Sequence, residues 1–154
     1  HEFRQIIKDC IEAGIQPSIY GRDWNEFITE DLVKDAFVPN DQIGKMYRGA
    51  GVVLNDHWAD MAQQGFMSNR LFDAAASGAR VISDSVDGLD EIFHGAVKAY
   101  ASPSDLKRMC DHAARAEWGT DSEIAARANE IGSTHSFDAR VAVIVKRALE
   151  LLGD

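Results

Sequence analysis

The sequence predicts an α/β fold in which helices pack on a parallel sheet, and three observations support this prediction. Short apolar runs of strand length recur along the 154 residues. Longer segments with helical periodicity separate these runs, which is typical of parallel sheets covered by helices. The composition, with 45% hydrophobic and 27% charged residues, is that of a globular domain. We therefore expect a doubly wound, Rossmann-like sheet in a single domain over residues 1–154.

The first part of the chain is predicted to contain two helices and three strands. Apolar residues at helical spacing predict a first helix that ends before Gly14, namely Phe3, Ile6, Ile7, Cys10 and Ile11. Strands are predicted at Ser18–Tyr20, Asp35–Val38 and Gly51–Asn55, and a helix begins at Pro39–Asp41. Residues 22–33 are predicted as a loop or a short turn, and residues 56–67 as a loop. A doubly wound fold opens on a strand, whereas this chain opens on a helix. Either the first strand is missing from this chain or the fold is less regular.

The second part is predicted to hold two more strands and to end in helices. The helix Ser68–Ser77 stops at Gly78, and the strands Arg80–Asp84 and Val97–Ala101 flank a helical turn at residues 88–93. The run Ser102-Pro103-Ser104-Asp105 combines a cap, a proline and an acid, which is typical of a helix start. Further helices begin at Asp121 and Ser136, so that C-terminal helices occupy residues 103–152.

Composition also excludes several classes of function. A net charge of −9 argues against a nucleic-acid partner, which requires a basic face. No apolar run reaches the ~18 residues of a membrane helix, and no signal peptide is visible, so we expect no transmembrane segment. Cys10 and Cys110 fall on apolar stripes of predicted helices. We interpret them as buried reduced thiols in a cytoplasmic protein, with a disulfide or a catalytic thiol as the alternative.

The start of the helix Ser68–Ser77 has the residue types of an anion site. Ser68, Asn69 and Arg70 lie where free main-chain N–H groups and the helix dipole favour a phosphate. Arg70 adds a bidentate donor, and Asp73, one turn further, can accept hydrogen bonds from ribose hydroxyls. The alternative is a serine cap followed by an Arg70–Asp73 pair on a solvated helix. The pattern alone leaves both interpretations open.

The run "RLFDAAASG" (Arg70–Gly78) lies between two predicted strands, inside "MYRGAGVVLNDHWADMAQQGFMSNRLFDAAASGARVISDSVDGLDEIF". With the later segments "AVKAYASPSDLKRM" and "HSFDARVAVIVKRAL", it resembles the C-terminal donor-binding domain of group 1 glycosyltransferases, which are two-domain enzymes of the GT-B type. The similarity runs from about Gly21 to the C-terminus. Its core resembles the pattern R-x-F-E-A-x-A-x-G of one branch of that family.

The resemblance implies a set of donor-binding residues. Asp73 corresponds to the second acid of an E-x7-E motif, which contacts the donor ribose, whereas the first acid falls at Gly65 and is absent. Main-chain groups of Ser68, Asn69 and Arg70 correspond to the segment that holds the diphosphate. The base is expected at Val38 and Pro39. Gly21 allows close main-chain approach, and Arg4 is the candidate for a phosphate clamp.

The resemblance also implies the reaction. We expect sugar transfer from a nucleotide diphosphate sugar, a UDP-sugar in preference to a GDP-sugar, without a metal and with an unknown acceptor. The acceptor-binding domain is N-terminal in such enzymes and is not in this chain, so catalytic residues stay unknown and the chain alone is expected to bind a donor without turnover. The alternative is a non-catalytic α/β module used for assembly or regulation.

His57 lies between two acids in "NDHWAD" (Asn55–Asp60), at the end of a predicted strand. This spacing matches no known metal-ligand pattern, so we expect no metal site. We include His57 among the candidate donor-binding residues because ligands of parallel sheets bind at the carboxyl ends of the strands. A plain surface histidine is the other interpretation.

Overall fold

A computed structural model describes residues 3–153 as short parallel strands surrounded by helices. The helices are α1 (Gln5–Glu12), α2 (Asn40–Gly49), α3 (Ala59–Gln63), α4 (Asn69–Ala76), α5 (Leu89–Phe93), α6 (Pro103–Cys110), α7 (Asp121–Thr134) and α8 (Phe137–Leu152). The strands are β1 (Ile19–Tyr20), β2 (Val33–Asp35), β3 (Val53–Leu54), β4 (Val81–Ser83) and β5 (Val97–Ala99). Turns of 3-10 helix lie at Trp24–Glu26, Glu30–Leu32 and Ala113–Trp118.

The predicted α/β class with parallel strands is confirmed. The strands form two small parallel sheets, ordered β1-β2 and β3-β4-β5. In the central strand of the second sheet, Val81 lies opposite Val53 on one side and Val97 on the other. Parallel strands all end at the same edge of their sheet. The residues that follow β3, β4 and β5 are therefore brought together at one edge.

Helices cover both faces of the sheet β3-β4-β5, as a doubly wound fold requires. Neighbouring residues of a strand point to opposite faces, and Val81 and Ile82 enter two different core clusters. The Val81 cluster includes Leu71 of α4 and Phe93 of α5. The Ile82 cluster includes residues of α1 and α6, together with Trp118. Helix α4 is thus held against the sheet by its apolar side, which leaves its polar side facing outward.

Local cap residues explain where the helices begin. The side-chain oxygens of Ser68, Ser102, Thr120 and Ser136 accept main-chain N–H groups at the starts of α4, α6, α7 and α8. Such caps satisfy donors that have no partner inside the helix. The predicted starts of these four helices are confirmed.

Two local predictions were wrong. The strand predicted at Asp35–Val38 lies instead at Val33–Asp35, because the Asp35 carboxylate accepts the Phe37 N–H at 3.2 Å and turns the chain. Phe37 is left 65% exposed, so the apolar run that suggested a strand is not buried. The loop predicted over residues 56–67 contains α3. Residues 22–33, predicted as a loop or a short turn, form two 3-10 turns and the start of β2.

Helix α8 packs on α7 and exposes most of its apolar side chains. These are Phe137, Val141, Val143, Ile144, Val145, Leu149, Leu151 and Leu152. No helix in the described part of the chain has the length and apolar character needed to cross a membrane. Both cysteines are free, as predicted, but only Cys10 is buried, whereas Cys110 is half-buried. Burial raises the pKa of the Cys10 thiol to about 12, so it stays protonated and unreactive.

Candidate functional site

Buried polar residues follow the strands β3 and β4 at the carboxyl edge of the sheet. Asn55, Asp56 and His57 come directly after β3, and Ser83 is the last residue of β4. All four are buried, although polar groups are normally excluded from a core unless they are hydrogen-bonded. Such an edge is where parallel α/β folds bind ligands. Its hydrogen bonds therefore define the site.

His57 joins the two strand ends to the start of α4. Its Nδ1 lies 2.7 Å from Asp84 Oδ1, and its main-chain N–H donates to Asp84 Oδ2 at 3.1 Å. On the other side of the ring, Nε2 accepts the main-chain N–H of Ser68 at 3.0 Å. Because Nε2 accepts, Nδ1 carries the proton and donates it to Asp84. The side chain of His57 is 0% exposed, so the ring is enclosed by the protein.

Asp84 is held as a carboxylate by this network. Burial acts to raise its pKa, but the hydrogen bonds from the His57 ring, the His57 main chain and the Ser83 hydroxyl outweigh burial and lower the pKa. The Ser83 hydroxyl donates to Asp84 Oδ1 at 2.9 Å and accepts from Asn55 Nδ2 at 3.1 Å. The chain of hydrogen bonds therefore runs from Asn55 through Ser83, Asp84 and His57 to the Ser68 amide.

The polar side of α4 presents unpaired groups. Ser68 caps the helix by accepting the Arg70 N–H at 3.3 Å. Asn69, Arg70 and Asp73 are exposed. Within residues 3–153, neither the guanidinium of Arg70 nor the carboxylate of Asp73 forms a side-chain hydrogen bond or an ion pair with another residue. The Arg70–Asp73 pair that the sequence offered as an alternative is not formed, so both groups are available to a ligand.

A cavity of about 440 Å³ opens in front of these groups. It is lined by Ser68, Asn69, Arg70 and Asp73 on α4, and by Tyr47, Met61, Phe66 and Met67. The four polar residues predicted from the helix start therefore meet in one cavity. The apolar wall was not predicted, because Met61, Phe66 and Met67 lie in residues 56–67, which were predicted as a loop. Phe66, two residues before the serine cap and 67% exposed, is the signal that could have indicated the wall.

The remaining predicted residues do not line this cavity. Gly21 follows β1, with a φ of +141° that favours glycine, and its N–H donates to the Asp35 carbonyl at 2.9 Å. Val38 lies half-buried in the segment between β2 and α2. His57 does not line the cavity and contacts the site only by accepting the Ser68 main-chain N–H.

The side chain of Arg4 is already bound by other residues of the protein. Its Nε donates to Asp56 Oδ1 at 2.8 Å, and its guanidinium lies 4.1 Å from the centre of the Trp58 ring. Asp56 also accepts the Ile6 N–H at 3.3 Å, which caps the first turn of α1. The charge of Arg4 is therefore already compensated at the end of β3.

Gly65, where the family resemblance predicts an acid, has a backbone conformation that favours glycine. Its φ is +65°, and its N–H donates to the Ala62 carbonyl at 3.1 Å as α3 ends. Residues with a side chain pay about 1 kcal/mol or more in this left-handed conformation. The turn that brings Phe66 and Met67 to the cavity thus favours glycine at position 65.

A second, larger cavity of about 550 Å³ lies between α5, β5 and α6. Acids dominate its lining, namely Asp87, Asp90, Glu91, Asp105 and Glu117, against Lys98 and Arg108. Arg108 is already paired with Asp105, at 3.0 Å, and with Glu117. An excess of carboxylates repels a diphosphate, so size alone does not make this cavity the better candidate. The described part of the chain contains no group of three or more His, Cys, Asp or Glu residues arranged to hold a metal ion.

Comparison with known proteins gives the family of the chain. The profile of a family described as "Glycosyl transferase-like" matches residues 3–146 and so includes both the strand ends and α4. No significant match was found among curated proteins or among solved structures. The α/β fold and the polar start of α4 fit a sugar-transfer domain. The chain belongs to the glycosyl transferase-like family.

Proposed function

We propose that the chain is the donor-binding domain of a glycosyltransferase and holds a nucleoside diphosphate sugar at the start of α4. The observation that carries this proposal is the cavity in which Arg70 and Asp73 are exposed and unpaired beside a capped helix start. A helix N-terminus carries about half a positive charge and free N–H groups, which favour phosphate. Arg70 adds a bidentate, charge-assisted donor.

Each polar residue of the cavity then has a role. The main-chain N–H of Asn69 has no hydrogen-bond acceptor within residues 3–153. We assign a phosphate oxygen of the donor as its acceptor. Arg70 binds the same diphosphate through its guanidinium. Asp73 lies one turn further along α4 and accepts hydrogen bonds from two ribose hydroxyls, because a carboxylate has acceptors only. This arrangement separates the anionic and the neutral parts of the donor along one helix.

The positive charge in this site comes from the protein and requires no metal. Arg70 and the α4 dipole stabilise the negative charge that develops on the leaving diphosphate as the bond to the sugar breaks. The net charge of −9 does not oppose this role, because only the local field at a small ligand matters at physiological salt. On the basis of the family resemblance, we propose Val38 and Pro39 as the base site and Gly21 as a point of close main-chain approach, with a UDP-sugar preferred to a GDP-sugar.

The acceptor is proposed to bind to a separate N-terminal domain of the full-length protein. No catalytic residue is assigned in this chain, and turnover is expected to require that domain. The exposed apolar side of α8 offers a surface for the domain contact. The free cysteines are in keeping with a cytoplasmic protein.

Thermal unfolding with and without nucleotides tests the donor site. A ligand present at 100 times its Kd stabilises the native state by about 2.7 kcal/mol, which raises Tm by several degrees for a domain of this size. We expect UDP or GDP to raise Tm, UMP to raise it less, and EDTA to change neither result. Absence of a shift with every nucleoside diphosphate would contradict the proposal.

The same exposed face of α8 favours the second candidate, an α/β module used for assembly. Apolar patches of this kind often mark protein contacts. That candidate predicts concentration-dependent self-association of the chain together with indifference to every nucleotide sugar. Light scattering after size-exclusion chromatography, run beside the unfolding assay, separates the two candidates.

A further inference from the structure

We infer that His57 is a positioning residue, which sets the start of α4 for the diphosphate without touching the donor. This inference rests on the proposed function and changes the role predicted for His57 from ligand contact to support. Both ring nitrogens are already used by the protein, at 2.7 Å from Asp84 and at 3.0 Å from the Ser68 amide. Because the side chain is 0% exposed, a donor in the cavity has no access to the ring.

The contact at Ser68 controls the direction of the next amide. Ser68 is the N-cap of α4, with φ −62° and ψ 135°, and its hydroxyl accepts the Arg70 N–H. With the Ser68 N–H fixed by His57, the peptide that follows it has a defined orientation. The main-chain N–H of Asn69 belongs to that peptide, and it is the amide assigned to the phosphate. His57 thus determines where the main-chain N–H that binds the diphosphate lies.

A neutral imidazole is suited to this position because it donates at one nitrogen and accepts at the other. Asp84 requires a donor, and the Ser68 N–H requires an acceptor. Protonation of the ring would place two N–H groups face to face at Ser68 and break that contact. Asp84 is the charged group in contact with the ring, and the N-cap of α4 contributes the Ser68 N–H. The residue before His57, Asp56, is paired with Arg4 at the end of β3.

Two substitutions separate the two halves of this link. His57→Gln can place an acceptor near the position of Nε2 and so retain the Ser68 contact. His57→Asn can place an N–H donor near the position of Nδ1 and so retain the hydrogen bond to Asp84, but its side chain is too short to accept the Ser68 N–H. We expect UDP-sugar affinity measured by calorimetry to fall about tenfold in His57→Asn. His57→Gln should recover most of that loss.

Nuclear magnetic resonance tests the link without any ligand. In the free protein, the imidazole spectrum should show the proton on Nδ1, and the Ser68 amide should be protected from exchange in the wild type and in His57→Gln but not in His57→Asn. Equal affinity and equal protection of the Ser68 amide in the wild type and both variants would overturn the inference and leave the proposed function intact. Failure of the wild type to bind any nucleoside diphosphate would overturn the proposed function and this role together.

Discussion

Replacement of Asp73 by asparagine removes a negative charge from the cavity without changing the size of the side chain. The carboxylate is exposed on α4, and no side-chain partner within residues 3–153 depends on it. The free energy of unfolding should therefore change by less than about 0.5 kcal/mol. Any loss of nucleotide affinity then reports on the ligand and not on folding.

The size of that loss follows from two opposing effects. Hydrogen bonds to a charged acceptor contribute about 1.5–3 kcal/mol, and asparagine retains only one weaker acceptor for the two hydroxyls. Removal of the carboxylate also relieves its repulsion of the diphosphate, which is about 0.5 kcal/mol per charge at roughly 8 Å in water. The hydrogen bonds outweigh the repulsion. With two charges on the diphosphate the repulsion is about 1 kcal/mol, so we expect a net loss of about 0.5–2 kcal/mol, or roughly 2- to 30-fold in Kd.

Calorimetric titration at fixed salt checks this value and its cause. UDP and 2′-deoxy-UDP are titrated into the wild type and into Asp73→Asn, which forms a double cycle between the carboxylate and the 2′-hydroxyl. The deoxy ligand should bind the wild type more weakly, and the Asp73 substitution should affect it less than it affects UDP. Asp90→Asn is the matched control, because Asp90 is exposed and lines the larger, acidic cavity.

Two results would refute the reasoning. Unchanged UDP affinity in Asp73→Asn would show that Asp73 does not bind the ribose hydroxyls. An equal loss in Asp90→Asn would indicate a general charge effect or a ligand in the other cavity.

Three further predictions concern stability. Leu71→Ala should lower the free energy of unfolding by about 2–5 kcal/mol because Leu71 is 0% exposed, whereas Ile144→Ala, at a site 66% exposed, should change it by less than about 0.5 kcal/mol in urea titrations. The pKa of Asp84 in the folded state lies below the ordinary 3.8, so the ionised carboxylate stabilises the fold above that pH, and this stabilisation is lost as the pH falls through the folded-state pKa. Asp84→Asn should therefore make the free energy of unfolding less dependent on pH in the acid range. Gly65→Ala should cost about 1 kcal/mol, since φ is +65° while no atom within 4 Å opposes a Cβ, and an unchanged Tm would contradict the conformational reason for glycine there.

The parts of the fold that depend on neighbouring residues could be predicted from the sequence. The start of α4 at Ser68 and the start of α6 at Ser102 were predictable because a cap acts on amides two or three residues away. Strand β2 was misplaced because the apolar residues that follow it, among them Phe37, turned out to be exposed. Burial depends on what packs against a segment, which a short apolar run does not report.

The candidate site shows the same division. Asn69, Arg70 and Asp73 lie within one helix, so helical spacing was enough to place them together. The link through His57 was beyond prediction, because its partners Asp84 and Ser68 lie 27 and 11 residues away in the chain. Only the parallel pairing of β3 with β4 brings those strand ends into contact.

Mapping of UDP by amide chemical shifts tests the central claim, that a nucleoside diphosphate binds at the start of α4. A titration of the ¹⁵N-labelled chain with UDP should shift the amides of Ser68, Asn69 and Arg70 first and most strongly. Amides that line the acidic cavity, such as those of Asp90 and Lys98, should shift little. Shifts confined to that second cavity, or no shift with UDP or GDP, would contradict the account.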